Sequence, residues 1–383
     1  MIMIFFSILF SIISLFMIVS FVAWQVLKYK TILPAGYGML FLLCGYALFP
    51  IYYLLGYINI ERHYRYNMEN ESLYIVYLMA CILIFIFLLS FFLGYSITQK
   101  NQYKISTNPF KKIYFFKYFF VILVISTVAY SLYIYIYGGL SYILENISHI
   151  RSGKDEHKNY LGALLNMFAG YYVFLLYSLF AYILILKNKM HFKKYFFKKI
   201  ILFFILFLIF VIAKKFLDGG RGGVIAVFIG LALISSLYLK KINKKYIFIL
   251  FFISIFVILF GKTILFQLFV TGDFASPTFN IIDLWGKVLG EFTHLYISIV
   301  NALEKELGAD RLFGDFIYWA LKPLKLLGVE GVDSISYYNT YQILGLWESN
   351  IPPGMVAFLY IEGGVIFIPL GGFFIGMFFI SFS

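Results

Sequence analysis

Long apolar runs, each wide enough for a full helix, alternate with short polar linkers along almost the whole chain. They lie at about 2–24, 34–57, 73–97, 114–137, 159–186, 200–217, 222–239, 246–270 and 354–382. About 20 apolar residues carry a helix across roughly 30 Å of hydrocarbon, so each run predicts one membrane span. The pattern changes only in the linker before the last run. There Asp283, Lys287, Glu291, His294, Ser298, Asn301 and Lys305 recur every three or four residues, opposite Ile281, Trp285, Leu289, Phe292, Tyr296 and Ile299. That period predicts one amphipathic helix from Asn280 as N-cap to Gly308 as stop, lying at the membrane interface with its polar face in water. The organisation expected is residues 1–270 as eight spans with short loops, 271–352 as a large outer loop and 353–383 as the ninth span.

Composition excludes the other classes. Of 383 residues, 62% are hydrophobic and 13% charged, with a mean hydropathy of +0.90. A soluble domain carries about 25% charged residues, and neither a disordered chain nor a fibrous repeat has this apolar content. The fold class is therefore an all-α polytopic membrane protein. The net charge of +13 would point to nucleic acid in a soluble chain, but here its placement decides. Sixteen lysines and no acid fall in the linkers at 28–30, 100–112, 187–199 and 240–245, whereas all five arginines and all eighteen acids fall on the other side. The positive-inside rule puts the lysine-only linkers in the cytoplasm, the N-terminus outside and the large loop extracytoplasmic. Residues 2–24 lack a basic stretch before them and a small-residue cleavage site after them, and read as a retained span. Cys44 and Cys81 sit within apolar runs and read as small packing residues.

The groups able to bind phosphate or move protons lie on the expected outer side. Arg151, in the loop 138–158, precedes Gly162 by eleven positions. Its guanidinium suits a phosphate or pyrophosphate, although a solvated turn explains the loop equally. The segment KKFLDGGRGGV at 214–224 brings Lys214, Lys215 and Arg221 to a hairpin whose Gly220 and Gly222 allow close approach to a ligand. The next helix begins there and presents its amides. Lys214 and Lys215 can also snorkel to headgroups. Asp218, three residues before Arg221, either acts as a base or orients that arginine. Glu291 and His294 stand one turn apart on the amphipathic stripe and are the preferred acid–base pair. Arg311 is a further cation for the pyrophosphate. Glu362 is set aside, because the glycines around it suggest a packed helix. No P-loop, GxSxG, HExxH or Asp-x-Asp pair occurs, so a reaction here is expected to need no metal and no cofactor.

These residues resemble the O-antigen or oligosaccharide repeat-unit polymerases of bacterial surface polysaccharide synthesis (Wzy-type). Four features carry the resemblance: Arg151-x10-Gly162, GGRGG at the hairpin, the large outer loop, and IPPGMVAFLYIEGGVIFIPLGGFFIGMFF at 351–379. A second Arg-x10-Gly is missing, since Ala232 stands eleven positions after Arg221.

The resemblance implies a GT-C-like membrane glycosyltransferase in the bacterial cytoplasmic (inner) membrane. It would move a growing glycan from undecaprenyl pyrophosphate onto another lipid-linked repeat unit, building O-antigen or capsule. Implied partners are undecaprenyl-pyrophosphate-linked glycans, membrane lipids and a chain-length regulator protein, with no nucleic acid. The alternatives are an O-antigen ligase and a lipid-linked oligosaccharide flippase. A flippase calls for broken or charged helices near the bilayer midplane and repeated halves, and in the first five spans the only deep charge is Lys117, within a turn of the expected cytoplasmic end.

Overall fold

The computed structural model describes residues 2–29, 33–57, 72–98, 112–146, 150, 160–188, 194–219, 221–238, 292–321, 334–345 and 351–381, and no strand occurs among them. The eighth predicted span, 246–270, lies outside the described residues. Five of the described helices are long and apolar enough to cross a membrane: Ile2–Tyr29, Leu73–Thr98, Phe115–Ile136, Leu164–Leu186 and Gly354–Phe378. In lipid an unpaired peptide group has no water to bond, and helices pair these groups internally except at the breaks at Gly170 and Gly364. The chain divides into two compact units, residues 1–103 with 278–383 and residues 104–277.

The first unit contains α1 (Ile2–Tyr29), α2 (Pro34–Leu43), a π-turn at Cys44–Leu48, α3 (Phe49–Leu54) and α4 (Ser72–Thr98). Helix α1 is patterned inside out. Its buried face is Ser7, Ser11, Ser14, Ile18 and Gln25, while Phe5, Leu9, Phe16 and Val19 are exposed. Lipid solvates the aromatic face as well as a protein core would, so the interface goes to small and polar residues. The Ser7 and Ser11 hydroxyls donate to carbonyls four residues back, and Ser11 Oγ lies 3.4 Å from Cys81 Sγ on α4. Both cysteines are free thiols, and Cys81 is buried in this packing.

The second predicted span is interrupted. Pro50 has no N–H to give to Tyr46, and the chain takes up the defect as the π-turn just before it. The turn aims the Tyr46 hydroxyl at the last long helix, where it accepts the Val356 N–H at 2.9 Å.

The unit is completed by α11 (Thr293–Glu304), α12 (Gly314–Leu321), α13 (Ile335–Leu344) and α14 (Gly354–Ser381). Helices α14 and α4 cross where neither has side chains to separate them. A Cβ on Gly372 would meet the Phe87 carbonyl oxygen at 2.6 Å, one on Gly376 would overlap the Phe91 carbonyl, and one on Gly94 the Phe373 carbonyl. This is close small-residue packing of the kind membrane helices use. Leucine at Gly376 is expected to force the helices apart at a cost of ~1–3 kcal/mol or more. A lowered thermal midpoint of the detergent-solubilised protein checks this, and an unchanged midpoint would contradict it. Contacts of residue 11 with 81, 25 with 95, 87 with 372 and 91 with 376 show α1, α4 and α14 running the same way.

Helix α11 corrects the predicted amphipathic surface helix. It starts at Thr293 with Phe292 as N-cap, while the predicted stretch from Asn280 to Glu291, with Asp283 and Lys287, lies outside the described residues. The stripe expected to face water is buried at Ser298 (0% exposed) and Asn301 (1%), because α11 packs among α4, the π-turn and α14 instead of lying on a surface. Polar periodicity marked a face that meets polar groups of the bundle: Asn339 Nδ2 donates to Ser298 Oγ at 3.0 Å. Its stop is also not Gly308. Leu307 N–H bonds to the Ala302 carbonyl at 2.9 Å and Glu306 N–H to Leu303 at 3.2 Å, a Schellman end with Glu306 in the left-handed position.

The second unit contains α5 (Lys112–Ile136), α6 (Leu140–Glu145), α7 (Tyr160–Ala169), α8 (Tyr171–Asn188), α9 (Lys194–Gly219) and α10 (Arg221–Tyr238). The fifth predicted span is thus two helices, α7 and α8, meeting at Gly170. An aromatic core holds the unit together. Phe115 stacks on Tyr182 at 4.5 Å, Tyr172 meets Phe210 edge-on at 4.9 Å, and Phe119 touches Phe203 and Phe207. Edge and offset contacts add about 0.5–1.5 kcal/mol each beyond the area they bury.

Candidate functional site

The chemically equipped place among the described residues is the break in α14. Gly364 has φ 71° and ψ −164°, which no helix contains. The interruption frees carbonyls that would otherwise bond one turn ahead. Ala309 N–H takes the Tyr360 carbonyl at 3.0 Å, and Arg311 N–H takes that of Ile361 at 3.2 Å. The segment 305–313, which follows α11, is thereby tied along the broken helix. It contains three non-glycine residues with positive φ: Glu306, Ala309 and Phe313. Each costs on the order of 1 kcal/mol, a strain that persists only where surrounding bonds fix the backbone. Gly308 belongs to this segment for a steric reason, since a Cβ there would meet the Tyr360 ring at 3.0 Å.

The segment assembles a charged cluster. Glu362, two residues before the break, is only 5% exposed. Its carboxylate accepts the Asp315 N–H at 3.1 and 3.2 Å, at the start of α12 where the helix dipole favours negative charge. Asp315 in turn accepts the Ile335 N–H at 3.0 Å and so ties down the start of α13. The Arg311 guanidinium is within Coulombic reach of the Glu362 carboxylate, and its carbon lies 5.1 Å from the centre of the Tyr338 ring. The Tyr338 hydroxyl donates to Asp310 Oδ2. Partial burial and that carboxylate push the Tyr338 phenol up to about 12, so it remains a donor at neutral pH. Beside Arg311, the side chains of Leu312, Phe313, Phe316 and Ile317 are exposed, an apolar border next to the cation.

Among the sequence-derived candidates, Arg311 belongs to this cluster. His294 does not. Leu295 lies against Gly354, at the start of α14, and Glu362 is eight residues further along, about 12 Å at 1.5 Å per residue. Arg151, Gly220 and Glu291 lie outside the described residues. Asp218 is in the last turn of α9, and Arg221 and Gly222 open α10, which therefore begins where the sequence placed a helix N-terminus.

Lys214 corrects the snorkelling expectation. It is 2% exposed, with Nζ donating to Asn166 Oδ1 at 3.0 Å and 5.1 Å from the centre of the Tyr130 ring. An ammonium taken from water needs such partners, and the inward route supplies an amide oxygen and an aromatic face. Lys215 is half-buried, its carbonyl close against Gly223, where an added Cβ would lie 3.2 Å away.

The residues the sequence left unassigned are Glu362 and the Asp310–Tyr338 pair. The available signal was an acid followed by Gly363-Gly364 inside an apolar run, since an ionisable group within a span is a functional candidate by default. No protein-family model, curated protein or solved structure matches the chain.

Proposed function

We propose that this protein is a membrane glycosyltransferase that polymerises undecaprenyl-pyrophosphate-linked oligosaccharide repeat units into a surface polysaccharide on the outer face of the cytoplasmic membrane. The observation that carries the reading is the gathering of Arg311, Glu362, Asp310 and Tyr338 at the break in α14, bordered by exposed apolar side chains. A lipid-linked pyrophosphate donor needs a cation next to a greasy surface, and its acceptor hydroxyl needs a proton acceptor nearby. In the proposed step the acceptor oxygen attacks the anomeric carbon and the bond from that carbon to the pyrophosphate oxygen breaks. The hydroxyl proton passes to a carboxylate, and undecaprenyl pyrophosphate leaves with its new charge opposite Arg311. Glu362 is the proposed base, and Glu291, with His294 three positions on in the sequence, is the competing one. Arg151 and Arg221, with Lys215 and the hairpin glycines, remain proposed pyrophosphate contacts, whereas Lys214, buried on Asn166 and Tyr130, does not.

One observation favours the flippase. Discontinuous helices with buried charge line transporter sites, and α14 is interrupted next to a buried glutamate. Fractionation of a strain lacking the protein separates the readings. Single-repeat lipid intermediates are expected on the outer face of the membrane. Their accumulation on the inner face would establish transport instead, and full-length chains left unattached would establish the ligase.

A further inference from the structure

A groove of about 300 Å³ lies between α1 and α4, lined by Met17, Ser20, Phe21, Trp24, Phe92, Tyr95 and Ser96. That volume is at the small end of ligand pockets, which run from roughly 300 to 1,000 Å³. The walls are preset. Phe21 lies 4.9 Å from both Phe92 and Tyr95 and stacks on Trp24 at 5.9 Å. Behind them the fully buried Gln25 donates to the Tyr95 hydroxyl at 3.3 Å and accepts the Leu33 N–H at 3.1 Å. Ser20 on α1 and Ser96 on α4 are the smallest side chains that line it. The lining is mainly apolar and aromatic, the Ser96 hydroxyl donates to the Phe92 carbonyl at 2.7 Å, and the Tyr95 hydroxyl accepts from Gln25 at 3.3 Å. The groove therefore suits a hydrocarbon chain.

Charge at one end selects the headgroup. Lys28, exposed and one turn beyond Trp24, holds its Nζ 4.9 Å from the Trp24 ring centre and 5.2 Å from that of Tyr29. The C-terminal ends of α1 and α4 both lie here and lead into linkers whose charges are all lysine. We infer that this groove is a binding site for an anionic phospholipid, with one acyl chain between α1 and α4 and the phosphate on Lys28. The site is independent of the charged cluster at the α14 break and of the reaction proposed there.

The test uses the full chain carrying W285F, W319F and W347F, which leaves Trp24 as its sole tryptophan. In mixed bilayers, brominated phosphatidylglycerol should quench Trp24 with about five-fold higher relative affinity than brominated phosphatidylcholine, the effect of one lysine at an anionic lipid. Lys28→Gln should abolish the preference, and Ser20→Leu, which fills the groove, should lower quenching by both lipids. Lys240→Gln should change neither. Equal quenching by the two lipids, a preference that survives Lys28→Gln, or an equal loss in Lys240→Gln would overturn the site. Should the triple replacement prevent insertion, native mass spectra of the otherwise unmodified chain decide. A phosphatidylglycerol retained by the parent and lost in both Lys28→Gln and Ser20→Leu supports it, and retention in all three refutes it.

Discussion

Replacing Glu362 by Gln is expected to lower polymer formation at least ~100-fold, the usual contribution of general acid–base catalysis, while the protein stays inserted. The amide keeps an oxygen to accept the Asp315 N–H, so α12 remains attached to α14. What disappears is the ability to take a proton. Glu362→Ala removes the acceptor as well and should also reduce the yield of folded protein, because the start of α12 then loses its partner in a buried place. The comparison separates chemistry from architecture: normal polymer from Glu362→Gln together with failure of Glu362→Ala would make this carboxylate a clamp. Glu291→Gln is the parallel experiment. If it stops polymerisation and Glu362→Gln does not, the base is Glu291, with His294 of the first turn of α11 to assist it.

The second large effect is expected at Arg311. Its replacement by Ala should cost ~10²–10³-fold in polymer formed, the range seen when one donor to a developing anion is removed. Lysine should rescue only part, since a point charge cannot reproduce the planar fork or its stacking against Tyr338. The measurement is polysaccharide length and amount at matched membrane protein levels. Full activity in Arg311→Ala, with loss in Arg221→Ala, would move the pyrophosphate to the glycine hairpin at the start of α10. The segment around Arg311 is held by backbone bonds from Ala309 and from Arg311 itself to α14, and these survive the substitution. A loss of activity would accordingly report on the side chain.

By itself the sequence determined the medium and the helices. Runs such as 2–24 and 73–97 contain no charged residue, and their peptide groups must be paired in hydrocarbon, so helices were the available outcome, and α1 and α4 appear within a few residues of those limits. It also located the start of α10 at Arg221, because the glycine run cannot continue a helix as easily as it can begin one. It did not determine which faces meet. In lipid, apolar periodicity carries little information about burial, and the buried faces went to Ser7, Ser11 and Ser14 on α1 and to Gly372 and Gly376 on α14. On α11 the polar stripe is helical as read, but Ser298 and Asn301 are buried and not solvated, since a polar stripe specifies only that partners are needed. Glu362 and Arg311, fifty-one positions apart, became neighbours through the break at Gly364 and the carbonyls it released. That juxtaposition depends on long-range backbone pairing, which leaves no local period in the chain, and only the tertiary structure could decide it.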